Sequence, residues 1–193
     1  MAGLIKVITG EMFSGKSEEL ARLVEQCLAN DHRVQVFYPA MSSRGSTRDI
    51  EQRLEPHDHL LVQAVPNADA EQMSALVAPT ADVIVVDEAQ FFSPAIVRVV
   101  REWRRRGCLV LIGGLDQDYL EHPFGCMGDL MCIANEVVKF HAFCAACGAQ
   151  DAFISHRISA ESGQIAVGES YVPLCEDCYV KTLTQREETV FAD

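Results

Sequence analysis

The sequence predicts an α/β fold, in which a mostly parallel sheet with flanking helices precedes a small metal-binding part at the C-terminal end. Apolar runs rich in β-branched residues alternate with helical patterns over residues 1–142. A glycine-rich motif at residues 10–17 joins the first run to the first helical pattern. Two Cys-x-x-Cys pairs lie beyond Phe143, where the alternation stops. We therefore expect one domain over residues 1–142 and another, with the C-terminal tail, over residues 143–193.

The apolar runs predict five strands, at residues 4–9, 34–38, 60–65, 83–87 and 109–113. Helical spacing of apolar residues predicts helices over residues 17–29 and 70–77. Ser93 and Pro94 predict the start of a third helix, because serine caps helices and proline suits the first turn. That helix is expected to turn its arginines outward and to bury one stripe: Ile96, Val99, Val100 and Trp103. Strands that alternate with helices indicate parallel pairing with both faces of the sheet covered.

Composition limits the classes of function. The formal net charge of −12 argues against a general nucleic-acid binder, which needs positive charge to displace counterions from phosphates. Apolar runs are all far shorter than the roughly 20 residues of a membrane span, so we expect a cytoplasmic protein without a membrane anchor. Reduced or metal-bound cysteines are typical of that compartment. Four scattered cysteines are expected to be small buried hydrophobic residues: Cys27, Cys108, Cys126 and Cys132.

Residues 10–17 read GEMFSGKS and match the phosphate-loop pattern G-x-x-x-x-G-K-[ST]. Backbone N–H groups of such a loop cradle phosphates, and the following helix adds the partial positive charge of its N-terminus. Lys16 is expected to reach the β- and γ-phosphates of ATP, and the Ser17 hydroxyl to bind Mg²⁺. The predicted phosphate-binding residues are Gly10, Glu11, Met12, Phe13, Ser14, Gly15, Lys16 and Ser17.

Two acids follow the apolar run at residues 83–86. An acid at the end of a buried strand is the second part of a P-loop nucleotide site, so Asp87 is expected to hold Mg²⁺ beside Ser17. A second carboxylate at the next position can orient or deprotonate the nucleophile. Glu88 is therefore the candidate catalytic base.

The C-terminal part holds two Cys-x-x-Cys pairs: Cys144 with Cys147, and Cys175 with Cys178. Each pair places two thiolates on one tight turn, and two such turns close a tetrahedral Zn²⁺ site. No further ligand or open position is indicated, so the zinc is expected to be structural.

The chain resembles the thymidine kinases of the cellular and bacterial type, which carry a zinc-bearing lasso domain. The resemblance extends from Lys6 to about Tyr179 and rests on motifs in the same order: GEMFSGKS with Glu19 and Leu20 behind it, DEAQFF, Leu115 with Asp116, Pro123-Phe124-Gly125, and two cysteine pairs with Tyr171 ahead of the second.

This resemblance implies transfer of the γ-phosphate of ATP to the 5′-hydroxyl of thymidine, with Glu88 taking the hydroxyl proton. It implies that the lasso closes over the base and that Arg157 lies near the phosphates. It also implies a homotetramer, since relatives are usually tetramers. The implied nucleoside-binding residues are Met12, Phe91, Leu115, Tyr119, Phe124, Ser155, Arg157 and Tyr171.

Several positions depart from the family pattern. Ser42 stands where an acid is usual, and Gly45 replaces an aromatic residue after Arg44. The further departures are Tyr119 in place of phenylalanine in some relatives, Val167-Gly168 in place of a double glycine, and Glu176 in place of a basic residue. They bear on substrate preference and on feedback by the triphosphate, and leave the phosphate loop intact.

Three alternatives remain open. The protein could phosphorylate another nucleoside, because base recognition by main-chain atoms leaves no side-chain signature. It could be a regulatory P-loop ATPase in which Glu88 positions water. It could be a zinc-containing nucleic-acid adaptor, which the negative charge disfavours.

Overall fold

In the computed structural model, which describes residues 3–40, 48–158 and 171–190, six strands form one sheet in the order β3-β2-β4-β5-β1-β6. Every neighbouring pair in this sheet is parallel. The strands are β1 (Leu4–Gly10), β2 (Val34–Pro39), β3 (Leu60–Val65), β4 (Val83–Val86), β5 (Leu109–Gly114) and β6 (Glu136–Phe140). The predicted parallel sheet is therefore confirmed.

Helices cover both faces of the sheet, because neighbouring residues of a strand point to opposite sides. On β4, Ile84 and Val86 join one apolar cluster, and Val83 and Val85 join the other. The first cluster includes residues of the helices Ala70–Leu76, Ile96–Arg105 and Met127–Ile133, and the second includes residues of the helices Lys16–Leu28 and Arg48–Arg53. The helices are α1 (Lys16–Leu28), α2 (Arg48–Arg53), α3 (Ala70–Leu76), α4 (Ile96–Arg105), α5 (Met127–Ile133) and α6 (Glu176–Val190).

All five predicted strands are confirmed to within one residue at each end, and so are the first two helices. The predicted start of the third helix is wrong, because α4 begins at Ile96. Ser93 does not cap it: its Oγ accepts a hydrogen bond from the Ala70 backbone N–H at 3.2 Å, and its carbonyl closes a turn with the Ile96 N–H at 3.0 Å. The predicted buried stripe of α4 is confirmed, as is the exposure of Arg98 and Arg105.

The four scattered cysteines differ in burial. Cys108 and Cys126 are buried as predicted, and Cys27 is half-buried. The prediction is wrong for Cys132, which is exposed. Its position explains the difference, since α5 buries Met127 and Leu130, and the residue two places after Leu130 lies on the opposite side of the helix.

Beyond Phe140 the chain forms a second, two-stranded sheet, in which β7 (Ile154–Arg157) pairs antiparallel with β8 (Tyr171–Leu174). Ala142 and Ala152 exchange backbone hydrogen bonds of 3.0 and 3.1 Å ahead of this hairpin. A separate small apolar cluster holds the region together: Ala142, Cys144, Ala152, Leu174 and Cys175. Across the three described ranges, each helix is too short or too polar to cross a membrane.

Candidate active site

The phosphate-loop motif lies between the end of β1 and the start of α1, which is the predicted strand–loop–helix arrangement. Gly10 has φ +131°, and a Cβ there would lie 2.1 Å from the Phe140 carbonyl oxygen, so only glycine fits. Phe13 and Gly15 also have positive φ values, of 64° and 92°. Ser14 Oγ donates a 2.8 Å hydrogen bond to the Glu11 carbonyl. The loop is thus a tightly wound turn at the carboxyl end of the sheet.

Lys16 folds back over this loop. Its Nζ donates to the Glu11 carbonyl at 2.5 Å and to Ser14 Oγ at 3.4 Å. Burial of the ammonium lowers the pKa of Lys16, and the nearby carboxylates of Glu88 and Asp87 oppose that shift. Glu11 and Asp116 oppose it more weakly. The Lys16 side chain therefore lies close to the two acids that follow β4.

Glu11 has a second role that its place in the motif did not predict. Its side chain is only 2 % exposed, and Oε1 accepts a hydrogen bond from the Ala142 backbone N–H. Burial raises the pKa of this carboxyl, while the backbone N–H groups of Glu11 and Ala142 oppose the increase. The phosphate loop is therefore anchored to the start of the C-terminal part.

Asp87 and Glu88 follow β4 directly. The Asp87 backbone N–H donates to the Phe37 carbonyl at 2.9 Å, and Asp87 Oδ1 accepts from the Glu88 N–H at 2.9 Å. Glu88 has φ 52° and ψ 43°, the left-handed region, which costs a non-glycine residue on the order of 1–3 kcal/mol. Strain of this kind persists where the surroundings impose it, and it clusters at functional sites. The backbone at Glu88 therefore supports the prediction of a catalytic role.

The oxygen donors in this region fit a hard cation such as Mg²⁺. Asp87 is buried at the end of β4, and Ser17 lies in the first turn of α1. Asp116, to which the sequence assigned no role, also follows a strand end. Its Oδ2 pairs with Lys139 Nζ at 2.7 Å, whereas its buried Oδ1 has no hydrogen-bond partner among the residues that the structure describes. Asp116 therefore adds a further buried carboxylate oxygen to the surroundings of Lys16.

Seven of the eight residues predicted to bind the nucleoside fall into three groups of contacting residues, and the eighth, Leu115, contacts Gln90. The Phe91 and Phe124 rings meet edge to face, with centroids 5.4 Å apart. The Met12 backbone N–H donates to Ser155 Oγ at 3.4 Å, so β7 of the C-terminal part contacts the phosphate loop. The Leu115 N–H donates to Gln90 Oε1 at 3.1 Å.

The third group contains Arg157, which the resemblance places near the phosphates. Its Cζ lies 5.0 Å from the centroid of the Tyr119 ring and 5.9 Å from that of Tyr171. The two rings are 6.4 Å apart. A guanidinium over two aromatic faces is a cation–π arrangement. In this structure Arg157 therefore contacts two of the aromatic residues predicted to bind the nucleoside, Tyr119 and Tyr171.

Two residues with hydrogen bonds inside the site were not predicted from the sequence. Asp118 is buried, and its Oδ1 accepts hydrogen bonds from the Leu120 and His122 backbone N–H groups at 2.9 and 3.1 Å, which shapes the loop that carries Tyr119. An aspartate beside a turn is a signal that could have indicated this. Gln90, which donates to Glu88, has no comparable local signal.

The four predicted zinc ligands form one cluster. Their Sγ atoms all lie within 4.8 Å of one another, and those of Cys147 and Cys175 are 3.7 Å apart. Tetrahedral Zn–S bonds of about 2.3 Å require S–S separations of about 3.8 Å, so the sulfur positions fit zinc. Burial acts to raise the pKa of the Cys144 thiol. Hydrogen bonds from backbone N–H groups, among which that of Cys175 has the largest effect, outweigh burial and lower the pKa to about 6. Such N–H donors favour a thiolate at this position.

The departures at Ser42, Gly45 and Val167-Gly168 cannot be placed, because these residues lie outside the described residues, as does Arg44.

Comparisons with known proteins agree with this geometry. The family model for "Thymidine kinase" matches residues 3–179. A thymidine kinase from Bacteroides thetaiotaomicron is 40% identical over 93% of this chain and 88% of its own length. A second, from Bacteroides fragilis, is 39% identical over 96% and 92%. The crystal structure of the flagellar accessory protein FlaH from Methanocaldococcus jannaschii shares the fold alone, with a TM-score of 0.55 and 16% identity over 72% of this chain and 71% of that one. Because the family model and these relatives span nearly the whole sequence, the chain belongs to the thymidine kinase family.

Proposed function

We propose that this protein is an ATP-dependent thymidine kinase, which transfers the γ-phosphoryl group of ATP to the 5′-hydroxyl of thymidine. The observation that carries this proposal is the family match over residues 3–179, which includes both halves of the nucleotide site and the cysteine cluster. The product would be thymidine monophosphate, so the reaction would serve nucleoside salvage for DNA synthesis.

In this proposal Glu88 accepts the proton of the 5′-hydroxyl as the hydroxyl oxygen bonds to the γ-phosphorus. The bond between that phosphorus and the β–γ bridging oxygen breaks, and ADP leaves. Lys16 supplies positive charge to the transferring group, and the backbone of residues 10–17 holds the phosphates. Ser17 and Asp87 would hold Mg²⁺, which neutralises charge on the phosphate oxygens when it is bound.

The nucleoside would lie among Met12, Leu115, Ser155 and four aromatic residues: Phe91, Phe124, Tyr119 and Tyr171. Edge-to-face contact between Phe91 and Phe124 fixes the position of both rings, which supports a preformed wall for a flat base. Arg157 would act from its position over Tyr119 and Tyr171, and a contact with the phosphates stays a prediction.

We further propose a kinase domain over residues 1–142 and a lasso domain with the tail over residues 143–193, the latter stabilised by one structural zinc. The hydrogen bond from the Met12 N–H to Ser155 joins the phosphate loop to that domain, and the hydrogen bond from the Ala142 N–H to Glu11 ties the loop to the residue just ahead of it. Both support a role of the lasso domain in the active site. A homotetramer and a cytoplasmic location are proposed on family grounds.

The direct test is incubation of the purified protein with ATP, Mg²⁺ and a panel of nucleosides that includes thymidine, deoxyuridine, deoxycytidine and adenosine. We expect thymidine 5′-monophosphate, formed far faster than ATP is hydrolysed without nucleoside. If the protein phosphorylates only a different nucleoside, that nucleoside is the substrate and thymidine is not. Hydrolysis of ATP at the same rate with and without every nucleoside would support the regulatory ATPase instead.

A further inference from the structure

Gln90 makes two hydrogen bonds that join parts of the active site. It is 3 % exposed and lies in the short 3₁₀ turn Ala89–Phe91, two residues after Glu88. Its side-chain Nε2 donates to Glu88 Oε2. Its Oε1 accepts from the Leu115 backbone N–H at 3.1 Å. One amide therefore links the candidate base to a residue predicted to line the nucleoside site.

The orientation of this amide follows from its partners. A backbone N–H can only donate, so the amide oxygen must face Leu115 and the NH₂ group must face the carboxylate. Two neighbouring glycines lie so close to Gln90 that a larger residue at either position would clash with it. A Cβ at Gly114 would lie 2.6 Å from Gln90 Oε1, and a Cβ at Gly125 would lie 2.1 Å from the Gln90 carbonyl oxygen. Two glycines therefore leave the room that the side chain and the backbone of this glutamine occupy.

We propose that Gln90 is a positioning residue, whose amide holds the Glu88 carboxylate in the orientation that accepts the proton of the nucleoside hydroxyl. This inference rests on the proposed kinase function. A glutamate side chain has several rotatable bonds, and a base loses effectiveness when its oxygen is displaced by about 1 Å from the productive position. A neutral amide restricts that motion and leaves the negative charge on the carboxylate. The left-handed backbone of Glu88 sets the direction in which its side chain leaves the main chain. The hydrogen bond from Gln90 restrains the position of its carboxylate.

The chain offers a closely matched control in Gln35 on β2. It is 5 % exposed, its Oε1 accepts from the Ala78 N–H at 2.7 Å, and its Nε2 donates to the Leu76 carbonyl at 3.3 Å. Gln35→Leu thus removes one accepted and one donated hydrogen bond from an equally buried amide, as Gln90→Leu does. Both variants should therefore lose a similar amount of unfolding free energy in denaturant titrations, because each loses comparable packing and two hydrogen bonds.

The experiment compares kcat, the thymidine KM and ATP binding in the wild type, Gln90→Leu and Gln35→Leu. We expect Gln90→Leu to lower kcat by about 10- to 100-fold and to change the thymidine KM by a clearly smaller factor. The lost bond to Glu88 positions the base, whereas the lost bond from the Leu115 N–H affects only one residue of the predicted nucleoside site. Gln35→Leu should keep both constants. Gln90→Met, which preserves length without a donor, is the second variant if Gln90→Leu does not fold. Crystal structures of the Gln90 variant and the wild type should show the Glu88 carboxylate in different orientations.

The outcomes separate this inference from the proposed function. If the wild type phosphorylates thymidine and the folded Gln90 variant keeps kcat within about threefold, the positioning role is wrong and the kinase function stands. Equal losses of kcat in Gln90→Leu and Gln35→Leu would also overturn it, since they would reflect general destabilisation. If the wild type phosphorylates no nucleoside, the function and the inference are both wrong.

Discussion

The carboxylate of Glu11, inside the phosphate loop, accepts a hydrogen bond from the backbone N–H of Ala142, which begins the C-terminal part of the chain. The next residue of the loop, Met12, donates its N–H to Ser155 on β7. Two neighbouring residues of the nucleotide site therefore contact the region that carries the cysteine cluster, so a change in that region should reach the phosphate loop.

Glu11 should make the stability of the protein depend on pH. Burial raises the pKa of Glu11 above 4.5, so the folded protein binds this proton more tightly than the unfolded chain does. The unfolding free energy of the wild type therefore falls as the pH rises from 4.5 through the folded-state pKa of Glu11, because the buried carboxyl then ionises. Glu11→Gln cannot ionise, so its unfolding free energy relative to the wild type should be higher at pH 7 than at pH 4.5, as measured with urea. Loss of zinc at low pH would affect both proteins alike, and an equal difference at the two pH values would contradict the prediction.

Glu88→Gln should remove the base and preserve the shape of the side chain. We expect kcat to fall by roughly 10²- to 10⁴-fold, the usual effect of losing a general base. Binding of ATP and thymidine, measured by titration calorimetry, should persist, because the variant keeps the size of the residue. A kcat close to that of the wild type would exclude Glu88 from proton transfer.

Lys16→Ala should affect the transition state more than the ground state. The ammonium is held beside Glu88, Asp87 and Asp116, where charge on the transferring phosphoryl group would be stabilised. We expect kcat to fall by a larger factor than the ATP KM rises, in steady-state kinetics with saturating thymidine. A change confined to the ATP KM would show that Lys16 only binds ATP.

Arg157→Met should weaken thymidine binding through the aromatic residues. Loss of the cation–π contacts with Tyr119 and Tyr171 corresponds to about 0.5–2 kcal/mol, or a thymidine KM about 2- to 30-fold higher. Tyr119→Phe keeps the ring and should stay within about twofold of the wild type. Arg101→Met, at an exposed position on α4, serves as the control for loss of an arginine. A lower kcat with an unchanged thymidine KM would instead place Arg157 at the phosphates.

Cys175→Ser should lower the zinc content and raise the thymidine KM, with ATP binding largely retained. Structural zinc contributes on the order of 10 kcal/mol of apparent binding free energy, much of which is folding free energy. The cluster around Cys144 and Cys175 is small, whereas the main sheet has apolar clusters on both faces. Cys132→Ser, at an exposed cysteine outside the cluster, is the matched control. Metal analysis that finds no zinc in the wild type would refute the site, and an unchanged thymidine KM in Cys175→Ser would separate the metal from the nucleoside pocket.

Features with a local signal were predictable. Strands β1 to β5 are runs of mostly apolar residues, many of them β-branched, which is why they were located to within one residue. The edge strand β6 was missed because it is more exposed, with Glu136 and Lys139 among its residues. The start of α4 was misplaced because Ser93 has a capping signal in sequence but a tertiary partner at Ala70.

The sequence by itself determined the α/β class, the strand–loop–helix context of residues 10–17 and the cysteines that cluster, because periodicity and ligand spacing act over a few residues. Only the tertiary structure decided that Glu11 binds Ala142, that Gln90 joins Glu88 to Leu115, and that Arg157 lies over Tyr119. These contacts join residues that are distant in the chain or depend on how a buried amide is oriented. Their geometry is set by the crossovers of the parallel sheet, which bring separate loops to the same carboxyl edge and leave no periodic trace in the sequence.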